Sequence, residues 1–88
     1  MKRYRIEFRP AALRDLRRVD KRMQSRIRGA IALLADNPRP PACRPLKGRD
    51  AFRLRVGDYR VIYAIHDDVL IVVVVTIAHR SSAYRDLR

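Results

Sequence analysis

Residues 38–50 read PRPPACRPLKGRD, and prolines at 38, 40, 41 and 45 with a glycine at 48 predict a loop that can hold neither helix nor ladder. It cuts the chain into halves of different character. Before it, apolar residues recur mainly at helical spacing; after it, they run in strand-like blocks. At 88 residues the chain can bury one modest core and no second one. Residues 1–88 are therefore read as a single domain of α+β class, with 38–50 as an irregular connection inside it.

The N-terminal half opens with a strand, because Tyr4, Ile6 and Phe8 alternate with Arg3, Arg5, Glu7 and Arg9. Pro10 suits the first turn of a helix, where its missing N–H is no loss, and Leu13, Leu16 and Val19 follow at helical spacing. Asp20 is the natural N-cap of a second helix with an apolar stripe of Met23, Ile27, Ala30, Ile31 and Leu34, ended by Asn37-Pro38. Beyond the prolines, runs at 51–56, 59–65 and 69–78 are separated by Gly57-Asp58 and by His66-Asp67-Asp68, which predicts an antiparallel meander. The last run, VLIVVVVTIA, barely alternates and is expected to be the central strand. The expected architecture is a small antiparallel sheet of four strands in the order strand-helix-helix-strand-strand-strand. Two N-terminal helices cover one face, and SSAYRDLR suits a short C-terminal helix.

A two-residue Gly57-Asp58 loop pairs Val56 with Tyr59, Arg55 with Arg60 and Leu54 with Val61. Directly opposed side chains share a face, so Arg53, Arg55 and Arg60 gather on one side, open to solvent, while Leu54, Val61 and Tyr63 point to the helices on the other. Like charges opposed in a ladder destabilise it, so stability alone favours interleaved acids here. The bland alternative is a solvated face on a very basic protein. The functional one is a phosphate site, since guanidinium forks bind phosphate oxygens in pairs. His79 and Arg80, where the last strand runs out, and Tyr84 beyond them are further candidates. Histidine is the side-chain type here that ordinarily exchanges protons near neutral pH. Ideal alternation puts His79 on the arginine face, and bringing Arg80 round needs a bulge or strand end near residues 76–78.

Charge narrows the partner. With 21 Lys+Arg against 9 Asp+Glu, the formal net charge is +12, which points to a polyanion. The apolar run at 69–75 is far too short to span a bilayer, and MKRYRIEF carries no apolar targeting run, so a cytosolic protein without membrane contact is expected. Cys43 has no disulfide partner, and the two histidines give no zinc-binding spacing, so neither metal nor cofactor is expected.

YRIEF, ALRDLRRVD, a second helix ending in NP, PLKG, FRLRVGDYRVIY and HRSSAY together resemble the RelE/ParE superfamily of bacterial toxins, most closely its RelE branch. The resemblance implies a type II toxin–antitoxin toxin that cleaves messenger RNA in the ribosomal A site without metal and is silenced by a cognate antitoxin protein. Carried over by position, it implies catalytic roles for Arg53, Arg55, Arg60, Arg80 and Tyr84, with His79 beside them. Some members carry lysine at the strand positions, where a lowered pKa can make a base; arginine stays protonated, so proton abstraction would fall to His79 or Tyr84. Arg14, Arg17, Arg18, Arg22, Arg26 and Lys47 are expected to dock on ribosomal RNA. The alternatives are a ParE-type inhibitor of DNA gyrase without nuclease activity and a passive nucleic-acid-binding module.

Overall fold

The alternation of YRIEF produces β1 (Arg5–Phe8), and Pro10 then opens α1 (Pro10–Arg18) at its first turn. The computed structural model describes residues 3–48 and 50–81. Asp20 caps α2 (Lys21–Leu33) as its side-chain chemistry predicts, its carboxylate accepting from the Met23 N–H at 3.0 Å. The meander follows as β3 (Phe52–Val56), β4 (Tyr59–His66) and β5 (Ile71–His79), preceded by a two-residue strand, β2 (Arg44–Pro45).

The sheet has five strands in the order β1-β5-β4-β3-β2, one more than expected. The extra one is β2, inside the proline segment that was read as unable to form a ladder. Proline is tolerated there because β2 is an edge, with one neighbour only. The sheet is also mixed rather than antiparallel, since β1 runs parallel to β5 (Ile6 beside Val72, Phe8 beside Val74). It fills the side of β5 that the meander leaves open, and the last rung, from the Arg9 N–H to the Val74 carbonyl at 2.9 Å, delivers the chain to Pro10. β4, not β5, is the middle strand, although β5 is still interior, which explains its continuous apolar run.

Both helices lie on one face, as expected. Ala12, Leu16, Val19, Ile27, Ile31 and Leu34 pack against Leu54, Val56, Val61, Tyr63, Val72, Val74 and Ile77, and all are buried. Tyr63 is fully enclosed, and its hydroxyl donates to the Pro38 carbonyl at 2.8 Å, so the largest core side chain also fastens the start of the proline segment. Where β1 ends, the outer edge of β5 loses its partner. Asp15 of α1 takes over, accepting from the Ile77 N–H at 3.2 Å. Among the described residues, no helix is long and apolar enough to cross a membrane. The proposed C-terminal helix lies outside the described residues.

Candidate functional site

Gly57, at φ +59°, makes the tight β3–β4 turn, and the register is the one the sequence dictates: Val56 opposite Tyr59, Arg55 opposite Arg60, Leu54 opposite Val61. The arginines are thereby placed on the face away from the helices. Arg53, Arg55 and Arg60 line a cleft of about 230 Å³ together with Ala42 and Arg44. Of the three arginines of β3 and β4, Arg55 is exposed while Arg53 and Arg60 are half-buried, deeper than the solvent-open face expected. One terminal nitrogen of Arg60, Nη1, is buried. Arg55 bends back along its strand, its Nε–H donating to the Gly57 carbonyl at 3.3 Å.

Arg44 is the residue that sequence reasoning missed. β2 pairs with β3 so that Arg44 stands directly opposite Arg53, and its Nη1 donates to the carbonyls of Pro41 (2.9 Å) and Cys43 (3.0 Å). A signal was available. Gly48, at φ 73°, turns the chain after β2, and the Leu46 N–H donates to the Ala51 carbonyl at 2.9 Å, so the segment is a hairpin and not a plain connection. The cleft thus has two opposed like-charge pairs, Arg44 with Arg53 and Arg55 with Arg60. Four guanidiniums around one small cleft could hold a multiply charged anion, since phosphate oxygens match their forked donors.

The end of β5 behaves differently from ideal alternation. Ile62 pairs with Thr76 but Tyr63 with Val74, so Val75 is an extra residue and the strand bulges there. Before the bulge Val72 and Val74 face the helices; after it, Ile77 and His79 do. His79 is therefore on the helix side and not on the arginine face. It meets Tyr59 edge-on, 5.5 Å between ring centroids, its Nδ1 lies 3.1 Å from Ser81 Oγ, and it borders a separate cavity of about 290 Å³ with Asp15 and Arg18. The same bulge puts Ala78, opposite Arg60, on the arginine side, and β5 ends one residue later at His79. The Arg80 N–H donates to the Asp58 carbonyl at 2.7 Å, which fixes its backbone beside the β3–β4 turn. Arg80 is exposed and does not line the cleft. Tyr84 lies outside the described residues.

The remaining basic residues fall into two places. Lys47 is exposed in the β2–β3 turn, at the edge of the arginine face, whereas Arg14, Arg17, Arg18, Arg22 and Arg26 are exposed on the helical layer behind the sheet. The β3–β4 turn joins the two regions: a Cβ added to Gly57 would stand 2.9 Å from the Met23 Cε and 3.6 Å from Arg26 Nη1. Among the described residues, no group of three or more His, Cys, Asp or Glu is gathered as a metal-ligand set.

Comparison with known proteins adds to this geometry. The family described as ParE toxin of type II toxin-antitoxin system, parDE, matches residues 6–84. Toxin RelE of Mycobacterium tuberculosis is 34% identical over 86 residues, covering 93% of this chain and 87% of that protein. Among solved structures, the toxin-antitoxin complex RelBE2 from M. tuberculosis superposes with a TM-score of 0.78 at 30% identity, covering 89% of this chain and 99% of that one. The archaeal RelE-RelB complex from Pyrococcus horikoshii does so with a TM-score of 0.78 at 25% identity, covering 94% and 100%.

Proposed function

Since the chain belongs to the RelE/ParE family of type II toxin–antitoxin toxins, we propose that it is the RNA-cutting kind, an endoribonuclease that acts on messenger RNA in the ribosomal A site. The observation that carries this reading is the cleft of Arg44, Arg53, Arg55 and Arg60. Guanidinium forks gathered on one face match phosphate oxygens in pairs, so the face fits an occupant rich in phosphate.

The reaction is attack of an RNA 2′-oxygen on the adjacent phosphorus, with loss of the 2′ proton. The bond to the 5′-oxygen breaks, that oxygen takes up a proton, and a 2′,3′-cyclic phosphate remains. Arg60, half-buried at the cleft, holds the scissile phosphate, helped by Arg80, whose backbone is fixed beside the β3–β4 turn. Arg53, Arg55 and Arg44 hold the flanking backbone and neutralise charge that builds on the pentavalent phosphorus. No arginine serves as the base, because guanidinium does not give up its proton in this range. The position of His79 across the sheet from the cleft argues against direct proton abstraction by its ring, which leaves Tyr84 to stack on a base or assist proton transfer. Lys47 extends the phosphate track, and the helical arginines dock on ribosomal RNA.

The cognate partner is an antitoxin, as in the RelBE2 and RelE-RelB complexes that share the fold. A gyrase-inhibiting role remains the second reading because the matching family is described by ParE. Induced expression in a bacterium, with transcript ends mapped beside a plasmid-supercoiling assay, separates the two. Cuts within codons support the nuclease; altered supercoiling with intact transcripts supports gyrase.

A further inference from the structure

Arg44 reaches the cleft on a segment with little regular structure, so something outside that segment must set its path. Its own guanidinium rests on the carbonyls of Pro41 and Cys43, and the Cys43 N–H donates to the Pro40 carbonyl at 3.0 Å. The cradle of Arg44 therefore moves wherever residues 40–43 move. The start of this segment is tied by Arg39. Its Nη1 donates to Asp67 Oδ1 at 3.1 Å and its Nη2 to Asp67 Oδ2 at 2.8 Å, a two-pronged ion pair across 28 residues of sequence. The Tyr4 hydroxyl donates to the same Asp67 Oδ1 at 2.5 Å. Behind the fork, the Arg39 guanidinium carbon lies 5.5 Å from the centroid of the Phe52 ring, and Phe52 is the residue paired with Pro45 of β2. The start of β1, the β4–β5 corner and β3 thus converge on one side chain of the proline segment.

We propose that Arg39, through its fork on Asp67, is a positioning residue that holds Arg44 at the cleft. The proposal rests on the cleft being an RNA-phosphate site. It makes a prediction that charge alone reverses. Removing the Asp67 carboxylate raises the net positive charge by one, which tightens RNA binding if attraction to phosphate is all that matters. If the carboxylate positions Arg44, removing it weakens binding.

The test uses the full-length purified chain and a 2′-O-methyl single-stranded oligoribonucleotide, which offers phosphates but no attacking hydroxyl, titrated at several salt concentrations. Arg44→Ala should weaken binding about fivefold near 0.1 M salt and lower the slope of log K against log salt by about 0.7, the signature of one lost phosphate contact on a single strand. Arg39→Gln and Asp67→Ala should both move in that direction, and in an Arg44→Ala background neither should impose that loss again, leaving only the small effect of its own charge. The exchanged pair Arg39→Asp with Asp67→Arg should recover part of the loss. Circular dichroism confirms that each variant is folded; an unfolded one is replaced by Arg39→Lys, which keeps the charge without the fork and should fall between. Tighter binding by Asp67→Ala, or an Arg39→Gln loss of equal size with and without Arg44, overturns the inference while leaving the cleft intact. If Arg44→Ala and Arg60→Ala both bind like the wild type, the RNA reading of the cleft fails first and this inference falls with it.

Discussion

Arg55→Glu should make the protein more stable and less active at once. Arg55 stands directly opposite Arg60, with Arg53 on the same face and Arg44 opposite Arg53. Two like charges about 5 Å apart repel by about 0.8 kcal/mol even in a water-like dielectric, and by more where the cleft is partly dry. A glutamate turns that repulsion into attraction, a swing of about 1–2 kcal/mol for a directly opposed pair. The Arg55 hydrogen bond to the Gly57 carbonyl, 3.3 Å long and at the surface, is lost, which offsets about 0.5 kcal/mol. The net gain should be about 0.5–1.5 kcal/mol, or roughly 2–10 °C in Tm for a domain of this size. Thermal unfolding followed by circular dichroism at low salt measures it, and 1 M salt should erase most of it because the screening length falls to about 3 Å. Toxicity on induction should disappear if the cleft is the proposed RNA-phosphate site, since a carboxylate then repels the phosphate. A variant that melts no higher at low salt, or that stays fully toxic, would show that the arginines are an ordinary wet surface and not a face kept basic for binding.

Tyr63→Phe removes the hydroxyl that satisfies the Pro38 carbonyl inside the protein, and should cost about 1–3 kcal/mol in urea unfolding. Burial, with the Cys43 thiol beside it, pushes the Tyr63 phenol well above its ordinary value. The protonated form is thus the one the fold holds: its stabilisation is complete below about pH 10, the unfolded value, and drains away as pH rises beyond it. Alkaline destabilisation should accordingly be shallower in Tyr63→Phe. Gly57→Ala puts a Cβ at φ +59° and 2.9 Å from the Met23 Cε, so it should lower stability by about 1–2 kcal/mol, read from the denaturation midpoint. The antitoxin should carry an acidic segment that competes with RNA for the arginine face; co-purification of the induced operon with competition binding checks this, and an antitoxin that leaves RNA binding untouched counts against it.

Local signals made the hairpin legible, because a two-residue turn fixes every pair in β3 and β4 and thereby the shared face of Arg53, Arg55 and Arg60. The Asp20 cap and the α2 stripe were equally readable, being set by residues within one or two turns. What sequence did not reveal depends on distant partners. Parallel pairing of β1 with β5 joins residues more than sixty apart and leaves no trace in either strand. The bulge at Val75 sits in an unbroken apolar run with no glycine or proline to mark it, yet that one extra residue moves His79 across the sheet and Ala78 to the arginine side. Arg44 was hidden because prolines read as loop, although Gly48 just beyond them is a turn signal.

The central claim is that the arginine cleft holds RNA for cutting. The most direct measurement incubates purified wild-type protein and Arg60→Ala with ribosomes programmed with a defined messenger, then maps the new ends and their chemistry. The account predicts cuts within the codon in the A site that leave a 2′,3′-cyclic phosphate, and a rate about 100-fold lower or worse for Arg60→Ala with its fold intact. Intact messenger at protein concentrations that arrest growth, or equal cutting by Arg60→Ala, would contradict it.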